Sequence, residues 1–192
     1  MKIAITAIAA IAGAATASPY FTAANGNQGV GSAPAGAVAT VTLDLSGVNS
    51  WDLQFAAVNE SMSAAIGANA HIVGIGWDVS LSTVGASWLS EPVMAFNADL
   101  FLTVGTGDDF AGTASYSSGG IFDLAGTGLD FFLDAGGLLN IEFFENFDDV
   151  SGAIDATYGA GSSIQIQYAA IPAPGALAML GLGGIVAGRR RR

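Results

Sequence analysis

Between residues 40 and 168 the chain is cut into short runs in which apolar and polar side chains alternate with a period of two, separated by Gly, Ser and Asp. Val41, Leu43 and Leu45 alternate with Thr40, Thr42, Asp44 and Ser46, and Trp51, Leu53 and Phe55 alternate with Asp52 and Gln54. Val73, Ile75, Trp77, Val79 and Leu81 alternate with Gly74, Gly76, Asp78, Ser80 and Ser82. Met94, Phe96, Ala98, Leu100 and Leu102 share one parity, as do Leu129, Phe131 and Leu133, then Leu139, Ile141 and Phe143. In the last run Ile164, Ile166 and Tyr168 stand against Ser163, Gln165 and Gln167. Successive strand side chains point to opposite faces, so each run buries one face and wets the other. Seven such runs joined by turn residues predict an all-β fold, an antiparallel β-sandwich or jelly roll.

The sandwich is expected over residues 37–170. Residues 18–36, rich in Gly, Ala and Asn, read as a loose leader with room for one first strand. Ala56 to Ala68 has a helix-like composition weakened by Asn59, Ser61, Ser63 and Gly67, so helix and strand are both open there. No internal repeat and no strong linker divides the body.

The two ends are of another kind. Lys2, an apolar run from Ile3 to Ala14, and Ala15-Thr16-Ala17 before Ser18 form a basic start, an apolar stretch and a small-x-small cleavage site. That is the pattern of a signal peptide over residues 1–17, a helix too short to span a bilayer, cut by signal peptidase after Ala17. At the other end Pro172-Ala173-Pro174-Gly175 is followed by an apolar stretch, Ala176 to Gly188, and then by Arg189, Arg190, Arg191 and Arg192. The prolines deny helix to what precedes them. A helix over the apolar stretch would be about 20 Å long, enough to sit in a membrane if the arginines snorkel to the head groups. The arginines hold that end on the cytoplasmic side.

This three-part tail, residues 171–192, resembles the PEP-CTERM sorting signal of bacterial exosortase substrates. Pro172 and Pro174 match its two prolines, and Ala173 stands where the family's glutamate usually is. The resemblance implies cleavage by a membrane-embedded cysteine-type enzyme and transient anchoring in the inner membrane. It also implies release to the surface or extracellular polysaccharide of a Gram-negative-type cell. In the body, Gly74 to Asp78, Ser87 to Glu91 and Phe143 to Tyr168, with Phe147-Asp148-Asp149 before the last strand, resemble the P-domain and related jelly-roll modules of secreted proteases.

Charge narrows the function. The chain has 192 residues with 16 Asp and Glu against 5 Lys and Arg, and all five bases lie in the terminal segments, at Lys2 and Arg189 to Arg192. A body without one Lys or Arg cannot neutralise phosphates, which excludes nucleic acid. With no cysteine and a single histidine, His71, nucleophilic catalysis reduces to a Ser-His-Asp arrangement, and no Gly-x-Ser-x-Gly elbow accompanies it. The shell of nitrogen and sulfur that zinc prefers is missing too. Glycoside hydrolysis needs only two carboxylates, but no spacing singles out a pair. The expected protein is not an enzyme.

The acids cluster at Asp108-Asp109 and, before the last strand, at Glu142, Glu145, Asp148, Asp149 and Asp155. With no side-chain cation but His71 to pair them, they stay solvated and keep the protein soluble, share protons, or hold a hard cation with oxygen ligands, for which calcium at Glu145, Asp148, Asp149 or Asp108-Asp109 is the natural candidate. Trp51 and Trp77 share parity with aliphatics and read as core. Trp88, among Gly85, Ser87 and Ser90, is the residue placed to stack on a sugar. The expected function is structural or adhesive at the cell surface or in the extracellular matrix. Carbohydrate or calcium binding is the alternative and hydrolysis the third reading.

Overall fold

The computed structural model of the chain describes residues 20–24 and 38–169. The cleavage positions Ala15, Ala17 and Ser18, the sorting motif Pro172 to Gly175, Arg189 to Arg192 and both expected terminal helices lie outside the described residues. Among those described, no helix is long and apolar enough to cross a membrane.

The structure is mostly β, in two sheets. In the first, β1 (Tyr20–Ala24) runs parallel to β7 (Leu100–Thr106), and antiparallel pairing continues through β6 (Pro92–Phe96) and β11 (Leu138–Glu145) to β4 (Glu60–Ala65). The second is built on β5 (His71–Thr83). Along one of its edges lie β8 (Thr113–Ser117), β9 (Phe122–Asp123) and β10 (Phe131–Phe132) in succession. Along the other lie β12 (Ala156–Tyr158) and β13 (Ser163–Ala169), which carry β3 (Asn49–Ser50) and β2 (Ala39–Asp44) on their far side. A single helical turn, α1 (Leu124–Thr127), is capped by the Asp123 carboxylate and closed by Gly128 at φ 75°.

The inward rows of the two sheets meet in one core. Ile75, Trp77, Val79 and Leu81 face Met94, Phe96, Leu102, Leu139, Ile141 and Phe143, each 3% exposed or less. At about 1.5–3 kcal/mol per fully buried large apolar side chain, this row pattern is the main force holding the sheets together. Its phase slips once. Gln167 pairs with Gly74 but Tyr168 with Ile72, so a bulge at Val73 sends Ile72 into the core cluster in its place. On the outer face of β5 the glycines admit a crossing segment. A Cβ on Gly74 would lie 2.5 Å from the Ile121 Cγ2, and one on Gly76 would lie 2.8 Å from the Gly120 carbonyl oxygen.

Several runs are broken by local bonds. Residues 51–55 form a turn and not a strand, leaving Leu53 52% and Phe55 78% exposed with Phe55 at φ 69°. The Asp52 N–H donates to Asn59 Oδ1, and the Asn59 amide donates back to the Leu53 carbonyl, so side chains take the bonds a ladder would have used. Within Ala56 to Ala68 the central residues, Glu60–Ala65, are strand, as β4. The run Met94 to Leu102 is a hairpin: Asn97 and Ala98 adopt φ 50° and 58° between β6 and β7. The run Leu129 to Leu133 shrinks to β10, while the more polar β8 and the short β12 carry pairings that the alternation does not signal.

Candidate functional site

The antiparallel registers send four loops to one end of the sandwich: residues 51–59 after β3, 84–91 after β5, 107–112 after β7 and 146–155 after β11. Backbone bonds tie them together. The Glu145 N–H donates to the Asp52 carbonyl, Asn146 to Glu91, Val84 to Asp155, Asp155 to Ser50 and Leu89 to Phe110. The close pass of the second loop over β7 depends on Gly105, where a Cβ would fall 2.1 Å from the Leu89 carbonyl oxygen.

This end gathers Asp52, Glu91, Asp108, Asp109, Glu145, Asp148, Asp149 and Asp155, half of the sixteen carboxylates. The two acidic groups marked in the sequence therefore share one end, with Glu91 between them close enough to sense both Asp149 and Asp109. Their bonding differs. Asp108 accepts from the Tyr116 hydroxyl at 2.7 Å and Asp109 from Ser90 at 2.7 Å. Asp52 accepts from Gly152 and Ser151, and Glu91 from the Trp88 N–H at 2.7 Å. Such carboxylates are locked into loop architecture.

Glu145 is not. It extends the row Leu139, Ile141, Phe143 by one more inward position, is 0% exposed, and neither carboxyl oxygen has a hydrogen-bond partner. Asp155, 2% exposed, leaves Oδ2 unpartnered, as do Asp148 Oδ1, Asp149 Oδ2 and the hydroxyls of Ser50, Ser87 and Tyr158. The Ser50 hydroxyl is near enough to Glu145, and that of Ser87 to Asp155, to favour the ionised forms, yet neither closes a hydrogen bond.

Burial dominates the electrostatics. Loss of water pushes the Glu145 carboxyl up to about 9, with Asp155, Glu91 and Asp149 adding repulsion. The same cause lifts Asp155 to about 6, with Asp148, Asp149 and Asp52 adding to it. Burial also raises Glu91, against the Trp88 hydrogen bond, and holds the Tyr158 hydroxyl protonated beside Glu145. Among the described residues no three His, Asp or Glu side chains stand converged as a ready metal shell.

Around the acids lies an apolar rim. Leu53, Phe55 and Val58 come from the first loop, Val84 and Trp88 from the second, Phe110 from the third, and Phe147 and Val150 from the fourth, all 45% exposed or more. Of the large apolar side chains exposed among the described residues, Phe132 alone sits elsewhere. Trp88, the expected sugar-stacking residue, is 46% exposed, Trp77 is core, and Trp51 is half-buried with its indole N–H on Glu60 at 3.4 Å.

His71 opens β5 at the opposite end, half-buried, its ring stacked on Phe132 at 4.0 Å and its Nε2 2.5 Å from Asp130 Oδ2. The body's one basic side chain is thus held by Asp130, across the sandwich from the acidic loops. Glu91 and Asp52 were missed as site residues, and Asp155 was counted in the acidic group without being marked as a ligand. The signal for Asp155 was present, since it adjoins the inward row Ala156 and Tyr158, but Glu91 and Asp52 come from loops whose convergence no local pattern encodes. Comparison with protein-family models and with curated proteins finds no match to this chain.

Proposed function

We propose that the chain is an exported, non-enzymatic β-sandwich of jelly-roll type with a structural or adhesive role at the surface or in the extracellular polysaccharide of a Gram-negative-type cell. In this reading signal peptidase cuts after Ala17. An exosortase-type enzyme then acts at Pro172 to Gly175 while Arg189 to Arg192 hold the tail in the inner membrane. One observation carries the adhesive role: eight of the nine large apolar side chains exposed among the described residues crowd the four loops at one end. A monomeric soluble domain scatters such residues, whereas a contact face collects them. Mass spectrometry of the protein recovered from its own cells tests the sorting. Termini at Ser18 and near Pro172 are expected, and an intact Arg192 would reject the processing.

A carbohydrate-binding role is the second reading, favoured by the exposure of Trp88 on that face. Stacking of a sugar ring on the indole predicts retention on a polysaccharide column that Trp88→Ala abolishes. Retention that survives the substitution would leave adhesion to the rest of the rim.

A further inference from the structure

We propose that the four loops close over a divalent-cation site of the calcium type, with Glu145 and Asp155 as its buried carboxylate ligands and Asp148 and Asp149 drawn in from the loop between them. The inference does not rest on the sorting or adhesive reading.

Two features point to a ligand. First, the deepest members of the acidic set are themselves orphaned: Glu145 is 0% and Asp155 2% exposed, and both present unpartnered oxygens. Buried polar groups without partners are rare in folded proteins, and a buried carboxylate without a counter-charge is rarer still. Second, nine of the ten buried side-chain polar atoms that lack a partner among the described residues belong to this end, and eight of those nine are oxygens, the ninth being Gln54 Nε2. The Ser50 and Ser87 hydroxyls lie beside the Glu145 and Asp155 carboxyls, so the set mixes charged and neutral oxygen donors.

That chemistry selects the ion. Calcium takes 6–8 oxygen ligands in irregular geometry, whereas zinc prefers nitrogen and sulfur and magnesium demands a near-ideal octahedron that it rarely dehydrates for. No arginine or lysine of the body competes for the carboxylates. A central double charge would attract all four carboxylates at once. The competing occupant is a proton on Glu145, which would satisfy the charge but not the other oxygens.

The test titrates calcium chloride into the full chain, stripped with EGTA and exchanged into chelator-free buffer. Calorimetry and thermal denaturation are read at constant ionic strength, with magnesium chloride as control. One calcium per chain and a rise in Tm that magnesium does not match are expected. Glu145→Gln and Asp155→Asn should each weaken binding at least tenfold, while Asp99→Asn in the 97–99 turn at the opposite end leaves it unchanged. Asp149→Asn, on a half-buried loop position, gives the same readout if a core variant fails to fold. A calcium response no larger than that to magnesium overturns the proposal, as does binding that survives Glu145→Gln, Asp155→Asn and Asp149→Asn alike. Termini measured on the cellular protein are unaffected by either result, so failure here and failure of the sorting reading are separable.

Discussion

Glu145 makes the metal-free protein more stable in mild acid than at neutrality, the reverse of what most carboxylates do. An exposed glutamate in the unfolded chain loses its proton near 4.5, while in the fold burial holds it until about 9. Over that interval the folded state binds the extra proton. The stabilisation is therefore complete below 4.5 and falls as pH rises, by about 1.4 kcal/mol per pH unit, until it is lost near 9. From pH 5 to 7 Glu145 alone removes on the order of 3 kcal/mol. Asp155, raised from 3.8 to about 6, acts in the same direction over its lower window and adds roughly 1 kcal/mol above pH 5. At about 2–4 °C per kcal/mol for a chain of this size, Tm in EGTA should fall by roughly 8 °C or more between the two pH values.

General repulsion among the surface acids has the same sign, so the slope of the wild-type chain alone does not isolate the residue. Glu145→Gln does, because the amide keeps the shape and cannot ionise. Its unfolding free energy from urea denaturation should vary with pH by about 3 kcal/mol less than that of the parent over the same interval. The groups facing Glu145 are the Asp155, Glu91 and Asp149 carboxylates, the Ser50 hydroxyl and Tyr158. None carries positive charge, so nothing in the fold reverses the sign. A parent protein no less stable at pH 7 than at pH 5 in EGTA would refute the reasoning, as would a variant with an undiminished slope. With calcium in excess the slope should shrink or invert, since the ion needs the ionised carboxylates.

Gly105→Ala should cost about 3 kcal/mol or prevent folding, because the new Cβ meets a backbone carbonyl at 2.1 Å. Gly74→Ala should cost less, since its closest obstacle at 2.5 Å is the end of the Ile121 side chain, and urea denaturation of the pair reads the difference. Tyr158→Phe removes a fully buried hydroxyl without a partner, so in EGTA it should be neutral or stabilise by about 1 kcal/mol, and a loss of more than that in Tm-derived stability would show a bond to the hydroxyl.

The strand rows of the core were legible because parity survives wherever a strand faces one core, as in Ile75 to Leu81, Leu139 to Phe143 and Ile164 to Ile166. Parity failed where a single residue changed the phase or a side chain captured the backbone. The bulge at Val73 exchanged it for Ile72, the Asn59 side chain folded residues 51–55 into a turn, and Asn97 and Ala98 turned one run into a hairpin. These are contests between neighbouring residues and the ladder, decided by tertiary partners such as Glu142, which accepts from both Phe55 and Asn59. Of the site, Glu145, Asp148, Asp149, Asp108 and Asp109 could be marked as acids. Which of them lacked partners depended on four loops meeting, a long-range fact. One clue lay in the sequence: Glu145 continues the inward row of β11, and a charge at an inward position has to be neutralised by something.

What can neutralise it is restricted by the composition. In most domains an inward carboxylate meets an arginine or lysine carried by the same chain, and its pairing is fixed when the chain folds. Between Ile3 and Gly188 this chain has neither, and its one histidine is engaged with Asp130 at the far end. The counter-charge must therefore come from outside, as a proton or a metal ion, and its supply is set by the medium. With the proposed ion, the folding stability of the acidic end becomes a function of external pH and divalent-cation activity. The exposed apolar rim stands on those same four loops, so whatever orders the carboxylates beneath also fixes the positions of Phe55, Trp88, Phe110 and Phe147 above. Coupling of this kind predicts that contact made by the rim weakens when EGTA removes the ion. It should weaken in Glu145→Gln as well, though Glu145 is fully buried and touches no partner itself.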